Sequence, residues 1–354
     1  MAAHRHSHLW PGVPLALGAA VLFGISTPLS KLLLGSIDPQ LLAGILYLGA
    51  GIGLAGIHLG RGVFGIPAAE APLRKADLTW LAAAILFGGL AGPLLLMLGL
   101  ARTQATFASL LLNLEGLATL AIAWLVFGEN VDRRLLLGAM AIVAGAALLS
   151  WGDRGAAIGT GAIYIALACI AWGIDNNLTR KLSSADPVTI AMTKGIAAGT
   201  VNVAVAQWRG VSVPAGDALL AAAALGFIAV GVSLVLFVSA LRRLGTARTG
   251  AYFSIAPFVG AVVAIALLHD PVTWQLLLAG GLMGTGVWLH ITERHIHEHE
   301  HEPLEHEHAH IHDAHHRHSH EGPVSEPHAH WHRHIPMRHK HTHYPDLHHR
   351  HPHG

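Results

Sequence analysis

Phe23-Gly24-Ile25-Ser26-Thr27-Pro28-Leu29-Ser30-Lys31 decides the fold, because it returns later in the chain as Trp172-Gly173-Ile174-Asp175-Asn176-Asn177-Leu178-Thr179-Arg180. Each copy is an aromatic-Gly opening, a polar turn and a basic residue, and the two are offset by 149. Working outward, Asp38-Pro39 matches Asp186-Pro187, and Gly128-Glu129-Asn130-Val131 matches His269-Asp270-Pro271-Val272. Each acidic loop leads into a Leu triplet, Leu135-Leu136-Leu137 or Leu276-Leu277-Leu278, and then a glycine, Gly145 or Gly286. Order and spacing persist over most of each half, so the chain reads as an internal duplication.

The material between these marks is apolar. Of 354 residues 53% are hydrophobic and 12% charged, and the mean hydropathy is +0.49, a balance no soluble fold explains. A bilayer core about 30 Å thick needs roughly 20 apolar residues in helix. Stretches of that kind run at 13–34, 40–60, 78–101, 105–127, 134–151, 159–182, 188–207, 218–241, 248–268 and 273–291. They are continuously apolar rather than alternating, which favours helices over a barrel. The expected fold is an all-α membrane protein of ten transmembrane helices in two five-helix repeats, residues 13–151 and 159–291. A cytoplasmic segment, 1–12, precedes them, and a disordered His-rich tail, 295–354, follows.

Five is odd, so the second repeat sits upside down relative to the first. Inverted repeats are the architecture of alternating-access transporters. Lys/Arg bias sets the orientation: with the amino terminus inside, twelve basic residues, among them Arg61, Arg74, Arg133, Arg180 and Arg242, fall on the cytoplasmic side and four, Lys31, Arg102, Arg154 and Arg209, on the other. Both termini are therefore expected in the cytoplasm, and the protein in the cell (inner) membrane. A formal charge of +1 argues against nucleic-acid binding. The lone Cys169 excludes an internal disulfide or a CxxC site. Without a P-loop, or a Ser/His/Asp or metal-ligand constellation in the spans, neither ATP-driven transport nor an enzyme is expected, and no cofactor is required.

The five-span unit resembles the EamA-type units of the drug/metabolite transporter superfamily, on Phe23-Gly24 through Lys31 and the acidic loop at Gly128-Glu129. The resemblance covers residues 13–291. It implies a ten-helix transporter with a central cavity built from the first four helices of each half, and names no substrate. The family commonly carries Pro in the fourth span of each repeat. Pro257 fits that pattern, whereas the first repeat has Glu115 in Leu112-Asn113-Leu114-Glu115-Gly116.

Three strongly ionisable residues lie far from the span ends: Glu115, Asp175 and Lys194. A charge at the bilayer centre costs ~2.5–3.5 kcal/mol on insertion scales, so each is expected to face a partner or a cavity. Asp175 and Lys194 flank one hairpin centred between Ser184 and Ala185, which places them at similar depth in antiparallel helices. They read either as a structural pair that cancels charge or as a gate or titrating pair on the substrate path. Glu115, near the midplane with no partner at i±3 or i±4, reads either as a proton carrier or cation contact or as a hydrogen-bonded neutral carboxyl. Asn176 and Asn177 with Asp175 and Trp172, facing Ser26, Thr27 and Ser30, are the expected polar linings of one cavity, with helix–helix hydrogen bonds as the other reading. Gly280-Gly281 with Gly284 suits close helix packing and a homodimer.

From His295 the composition changes, and this segment holds 23 of the 29 histidines. The alternation places candidate metal ligands at His295, His297, His299 and His301; at His306, His308, His310 and His312; at His328, His330, His332 and His334; and at His339, His341 and His343. Neutral imidazole suits Zn, Ni, Cu and Co. A pH-responsive tail and low-complexity sequence without a role are the other readings. Three functions follow from the whole: a non-ATP transporter of a small metabolite or drug-like solute with a metal-binding tail, an exporter of divalent metal (Zn, Ni or Co) fed by the tail, or a metal-responsive sensor or scaffold. The expected partners are the lipid bilayer, a small-molecule substrate and transition-metal ions.

Overall fold

The computed structural model describes residues 12–64, 73–127, 133–150, 159–179, 182, 185–244 and 246–291, together with 295–300, 305–310, 328–333 and 338–343 of the tail. Between 12 and 291 the described chain is helical. It runs α1 (Gly12–Leu33), α2 (Pro39–Val63), α3 (Leu78–Ala84), α4 (Gly92–Leu100), α5 (Ala105–Leu111), α6 (Leu114–Phe127) and α7 (Arg133–Ser150). The second half gives α8 (Thr160–Thr179), α9 (Pro187–Trp208), α10 (Gly216–Leu225), α11 (Ser233–Leu244), α12 (Thr246–Phe253), α13 (Ala256–Leu268) and α14 (Trp274–Ile291). Among the described residues, eight helical stretches are long and apolar enough to cross a membrane, and α13 is a shorter apolar helix.

Local chemistry explains the boundaries. Asp38 and Asp186 cap α2 and α9: Asp38 Oδ1 accepts from the Gln40 and Leu41 amides (2.9 and 3.3 Å), and Asp186 Oδ2 accepts from the Thr189 amide (2.9 Å). A proline follows each, at the first helical position, where its missing N–H costs nothing. Two spans expected as continuous helices are broken instead. The span at 105–127 interrupts at Leu112-Asn113, where the Asn113 side chain donates to the Leu110 carbonyl (2.9 Å) and competes with the helical ladder. The span at 248–268 interrupts at Ser254-Ile255, ahead of Pro257. The third span of each half carries a π-helical turn, Ile85–Ala91 and Gly226–Val232, and these start 141 residues apart.

The helices meet through small residues: Ala16, Ala19, Ala20, Ala168 and Ala264 are buried, while Leu125, Val262 and Leu277 stand exposed on the outside, the apolar exterior a bilayer requires. The main packing joins the two halves: α2 on α9, α7 on α14, α6 and α4 on α8, and α1 on α11 and α13. A Cβ at Gly24 would lie 2.5 Å from the Ala256 carbonyl, so α1 and α13 touch through backbone. The last span makes its close approach at Gly286, whose Cβ would meet the Gly138 carbonyl at 2.5 Å. The expected glycines are not the ones in contact: Gly281 faces open space, and Gly280 and Gly284 touch only side-chain tips.

Within the tail four short segments are described. His295–Glu300 pairs antiparallel with Arg338–His343, and Glu305–His310 with His328–Arg333. An alternation of period two is also the strand period, which the metal-ligand reading of the histidines did not use.

Candidate functional site

Asp175 sits near the end of α8 and Lys194 two turns into α9, and the hairpin between them brings the two side chains together. Both are buried, and the Lys194 ammonium donates to Asp175 Oδ2. Thr179, one turn on, donates its hydroxyl to Asp175 Oδ1 (3.1 Å), so both carboxylate oxygens are occupied. A buried pair is stable only while both members are present and their remaining capacity is met.

The π-helical turn Ile85–Ala91 presses against this pair. A Cβ at Gly88 would lie 1.9 Å from Asp175 Oδ2, and one at Gly89 would fall 3.5 Å from Lys194 Cγ, so only glycine lets the turn approach so closely at 88. A π turn displaces carbonyls from the α-helical ladder. The Gly88 carbonyl accepts from the Tyr47 hydroxyl of α2 (2.8 Å) and from Trp172 Nε1 of α8 (3.1 Å). Three helices thus converge on one backbone oxygen beside the ion pair. Trp172 also meets the Phe23 ring edge-on at 6.3 Å, and Phe23 meets Phe253 at 5.4 Å.

Glu115 opens α6 immediately after the break. Its Oε1 accepts from Asn176 Nδ2 (3.0 Å), and the same amide reaches Thr119 Oγ1 (3.2 Å). Asn177 donates to the Thr119 and Gly173 carbonyls (3.1 and 2.9 Å). Asn176 is exposed and Glu115 half-buried, whereas Asp175, Lys194, Trp172 and Asn177 are buried, so the cluster grades from an accessible carboxyl to an inaccessible ion pair. With Asp175 and Lys194 cancelling each other, Glu115 is the carboxyl whose charge has only neutral hydrogen-bond partners. Such a cluster is able to hold a positively charged group or a proton at Glu115.

Of the expected site residues, Glu115, Asp175, Asn176, Asn177, Lys194 and Trp172 come together. Ser26, Thr27 and Ser30 are buried in α1, and Ser26 donates to the carbonyl of Phe23 in its own helix (2.6 Å). No described hydrogen bond joins those three to the α8 cluster, and a buried serine in an apolar helix satisfies itself locally. Sequence reasoning missed Gly88 and Thr119, and favoured interface or packing over cavity lining for Tyr47. Thr119 was legible in principle, being one turn after Glu115. Gly88 carried only an indirect signal, Pro93 five residues on, whose missing N–H leaves that carbonyl free in a π turn.

Other expected residues have structural work. Asp270 Oδ2 accepts from the amide and hydroxyl of Thr106 (2.9 and 2.7 Å) at the start of α5, and Lys31 donates to the Leu100 and Thr103 carbonyls (2.6 and 2.8 Å) at the end of α4. The Gly128-Glu129 loop and His301, His312 and His334 lie outside the described residues. Among the described residues no group of three or more His, Cys, Asp or Glu is placed to hold a metal ion.

Residues 10–151 and, separately, 159–292 match the EamA-like transporter family. An "Uncharacterized transporter" of Methanothermobacter thermautotrophicus (strain Delta H) is 29% identical over 296 residues, 79% of this chain and 86% of that protein. A solved structure described as "Crystal structure of protein" superposes with a TM-score of 0.59 at 19% identity, over 80% of this chain and 98% of that one, and is similar in fold.

Proposed function

The chain belongs to the EamA-like transporter family, and from that premise we propose that it moves a small metabolite or drug-like solute across the cell membrane by alternating access, without ATP. The arrangement proposed is ten spans in two inverted five-helix repeats with both termini in the cytoplasm. Four observations support it: the two separate family matches, the paired π turns, the broken fourth span in each half, and the Lys/Arg bias of the loops.

One observation carries the placing of the site: Glu115 on Asn176, which also holds Thr119, next to the Asp175–Lys194 pair and inside an apolar helix bundle. In this reading Glu115 is the coupling or substrate carboxyl, and Asp175, Lys194, Asn176, Asn177 and Trp172 hold the cavity wall in a charge-balanced state. Transport needs a group that is stable both wet and dry, and a carboxyl with neutral partners is such a group.

The test is solute exchange in proteoliposomes against a panel of amino acids, organic amines and other metabolites, followed by Glu115→Gln and Asp175→Asn. The expected result is exchange of at least one solute class, with Glu115→Gln removing its pH dependence. Unchanged pH dependence in both variants would sink the coupling role. For the tail we propose binding of Zn, Ni or Co through the density of its histidines, as an accessory to transport. Deleting residues 295–354 is expected to spare solute exchange and to abolish metal binding; loss of exchange would make the tail the working part.

A further inference from the structure

Asp38 and Asp186 each cap a helix, and each faces an arginine at the far end of the other's partner. Asp38 Oδ1 lies 3.8 Å from Arg209 Nη1, and Asp186 Oδ1 lies 3.7 Å from Arg61 Nη1. Asp38 and Asp186 are 148 residues apart, and so are Arg61 and Arg209. The pairing is therefore crossed: the N-cap of α2 with the C-cap of α9, and the N-cap of α9 with the last turn of α2. One ion pair closes each end of the antiparallel α2–α9 pair.

Between the ends the two helices touch through backbone. A Cβ at Gly51 would lie 2.5 Å from the Ile196 amide nitrogen, one at Gly195 would lie 2.7 Å from the Gly51 nitrogen, and one at Gly199 would lie 2.5 Å from the Leu48 nitrogen. Gly51 is the middle residue of Pro39–Val63. The centre of the pair is thus a close, side-chain-free contact, while the ends are held by ion pairs without a direct hydrogen bond.

The two ends are not equivalent. At one, the Asp186 side chain is 5% exposed and Arg61 35%; at the other, Asp38 is 25% exposed and Arg209 49%. The looser end opens on a pocket of about 450 Å³ lined by Asp38, Gln40, Leu98, Arg102 and Arg209, among others. There Arg209 divides itself between Asp38 and Gln40, to which it donates at 2.7 Å.

We propose that α2–α9 is a seesaw: the Gly51–Gly195 contact is the fulcrum, and Asp38–Arg209 and Asp186–Arg61 are reciprocal gate residues, one loosening as the other tightens. This rests on the alternating-access reading above. Inverted repeats exchange conformations between the two faces of the membrane, so residues related by the duplication exchange states too. The unequal exposure of two sequence-equivalent ion pairs is what a single state of such a device looks like.

The test uses the full chain in vesicles, with Cys169→Ala and one reporter cysteine at a time. Leu98→Cys reports the Asp38 end and Val188→Cys the Asp186 end; labelling by a membrane-impermeant maleimide is measured from both sides. Asp186→Asn keeps a capping side chain and removes the charge. It is expected to raise labelling at Val188→Cys and lower it at Leu98→Cys; Asp38→Asn is expected to do the reverse. The change expected is about two- to fivefold, the size of a partly exposed ion pair worth a few tenths to 1 kcal/mol at ~1.4 kcal/mol per factor of ten. Arg61→Gln and Arg209→Gln should repeat the two patterns without touching the caps. Labelling that changes only at the substituted end, or rises at both, overturns the seesaw. Solute exchange by the parent chain is scored separately: exchange without reciprocal labelling sinks the seesaw alone, and reciprocal labelling without any exchange sinks the transport reading.

Discussion

Lys194 and Asp175 are the residues at which one atom matters most. Each is buried, and the partner charge is what makes its ionised form tolerable. Lys194→Met is expected to cost about 3–5 kcal/mol, because it strands a buried carboxylate whose second partner is only the Thr179 hydroxyl. Asp175→Asn with Lys194→Met should cost less than that single change, and urea or thermal unfolding of both variants in detergent decides it. A double variant no more stable than the single one would mean the pair is not acting as a unit. Gly88→Ala makes a different demand: its Cβ would arrive 1.9 Å from Asp175 Oδ2, so the turn must retreat. About 1–3 kcal/mol of overpacking cost is expected, read as a lower Tm with helix content unchanged. The ion pair was legible beforehand because hairpin arithmetic fixes the depth of two residues about a turn. Glu115 was legible only as an ionisable group in an apolar span. Its partner Asn176 belongs to another helix, and no local spacing specifies how α6 sits on α8.

At the scale of the element, the broken and widened helices carry the argument. Loops and continuous spans could be marked from apolar run length and punctuation, but the interruptions at Leu112-Asn113 and Ser254-Ile255 and the π turns Ile85–Ala91 and Gly226–Val232 could not. Pro257 announces one of them in the sequence, and Pro93, five residues after Gly88, removes the N–H that a π-helical ladder would offer the Gly88 carbonyl. The others rest on side-chain competition by Asn113, and on packing of glycines such as Gly88 and Gly226 against a neighbouring helix, where a Cβ at Gly226 would meet the Leu46 carbonyl at 2.0 Å. The serine lining poses a related difficulty: Ser26 bonds the Phe23 carbonyl of its own helix, so its spacing does not say what it faces. The π turn Ile85–Ala91 yields a prediction of its own. Tyr47→Phe and Trp172→Phe each remove one donor from the Gly88 carbonyl, and each should cost roughly 1 kcal/mol. Trp172→Phe carries an additional loss of apolar contact. Together they leave that carbonyl without either side-chain donor, so the double variant should lose more than the sum. A double-mutant cycle on Tm-derived stabilities checks this, and strict additivity would show that the two donors act on independent features.

Over the whole molecule, the duplication that the sequence displays is not the unit of packing. Residues 13–151 and 159–291 are continuous in sequence, yet α1 lies on α11 and α13, α8 lies on α4 and α6, α2 lies on α9, and α7 lies on α14. The contacts where backbones touch follow the same rule: Gly24 on Ala256, Gly99 on Gly161, Gly51 on Ile196 and Gly138 on Gly286 all join one half to the other. A half alone would present those glycine-lined faces, and the Asp38, Asp186, Arg61 and Arg209 charges, to lipid without their partners. Two membrane-inserted halves gain most of their helix–helix packing only on meeting, because in a bilayer it is close van der Waals fit rather than expulsion of water that drives association. The chain cut within 151–158 and co-expressed as two pieces should therefore assemble, co-purify through a tag on either piece, and retain solute exchange. Each piece expressed alone should insert and then be degraded or aggregate. Stable, monodisperse accumulation of residues 1–154 by itself would show that the first repeat folds as its own domain. In that case the interlocked packing would be a late docking step rather than the source of stability.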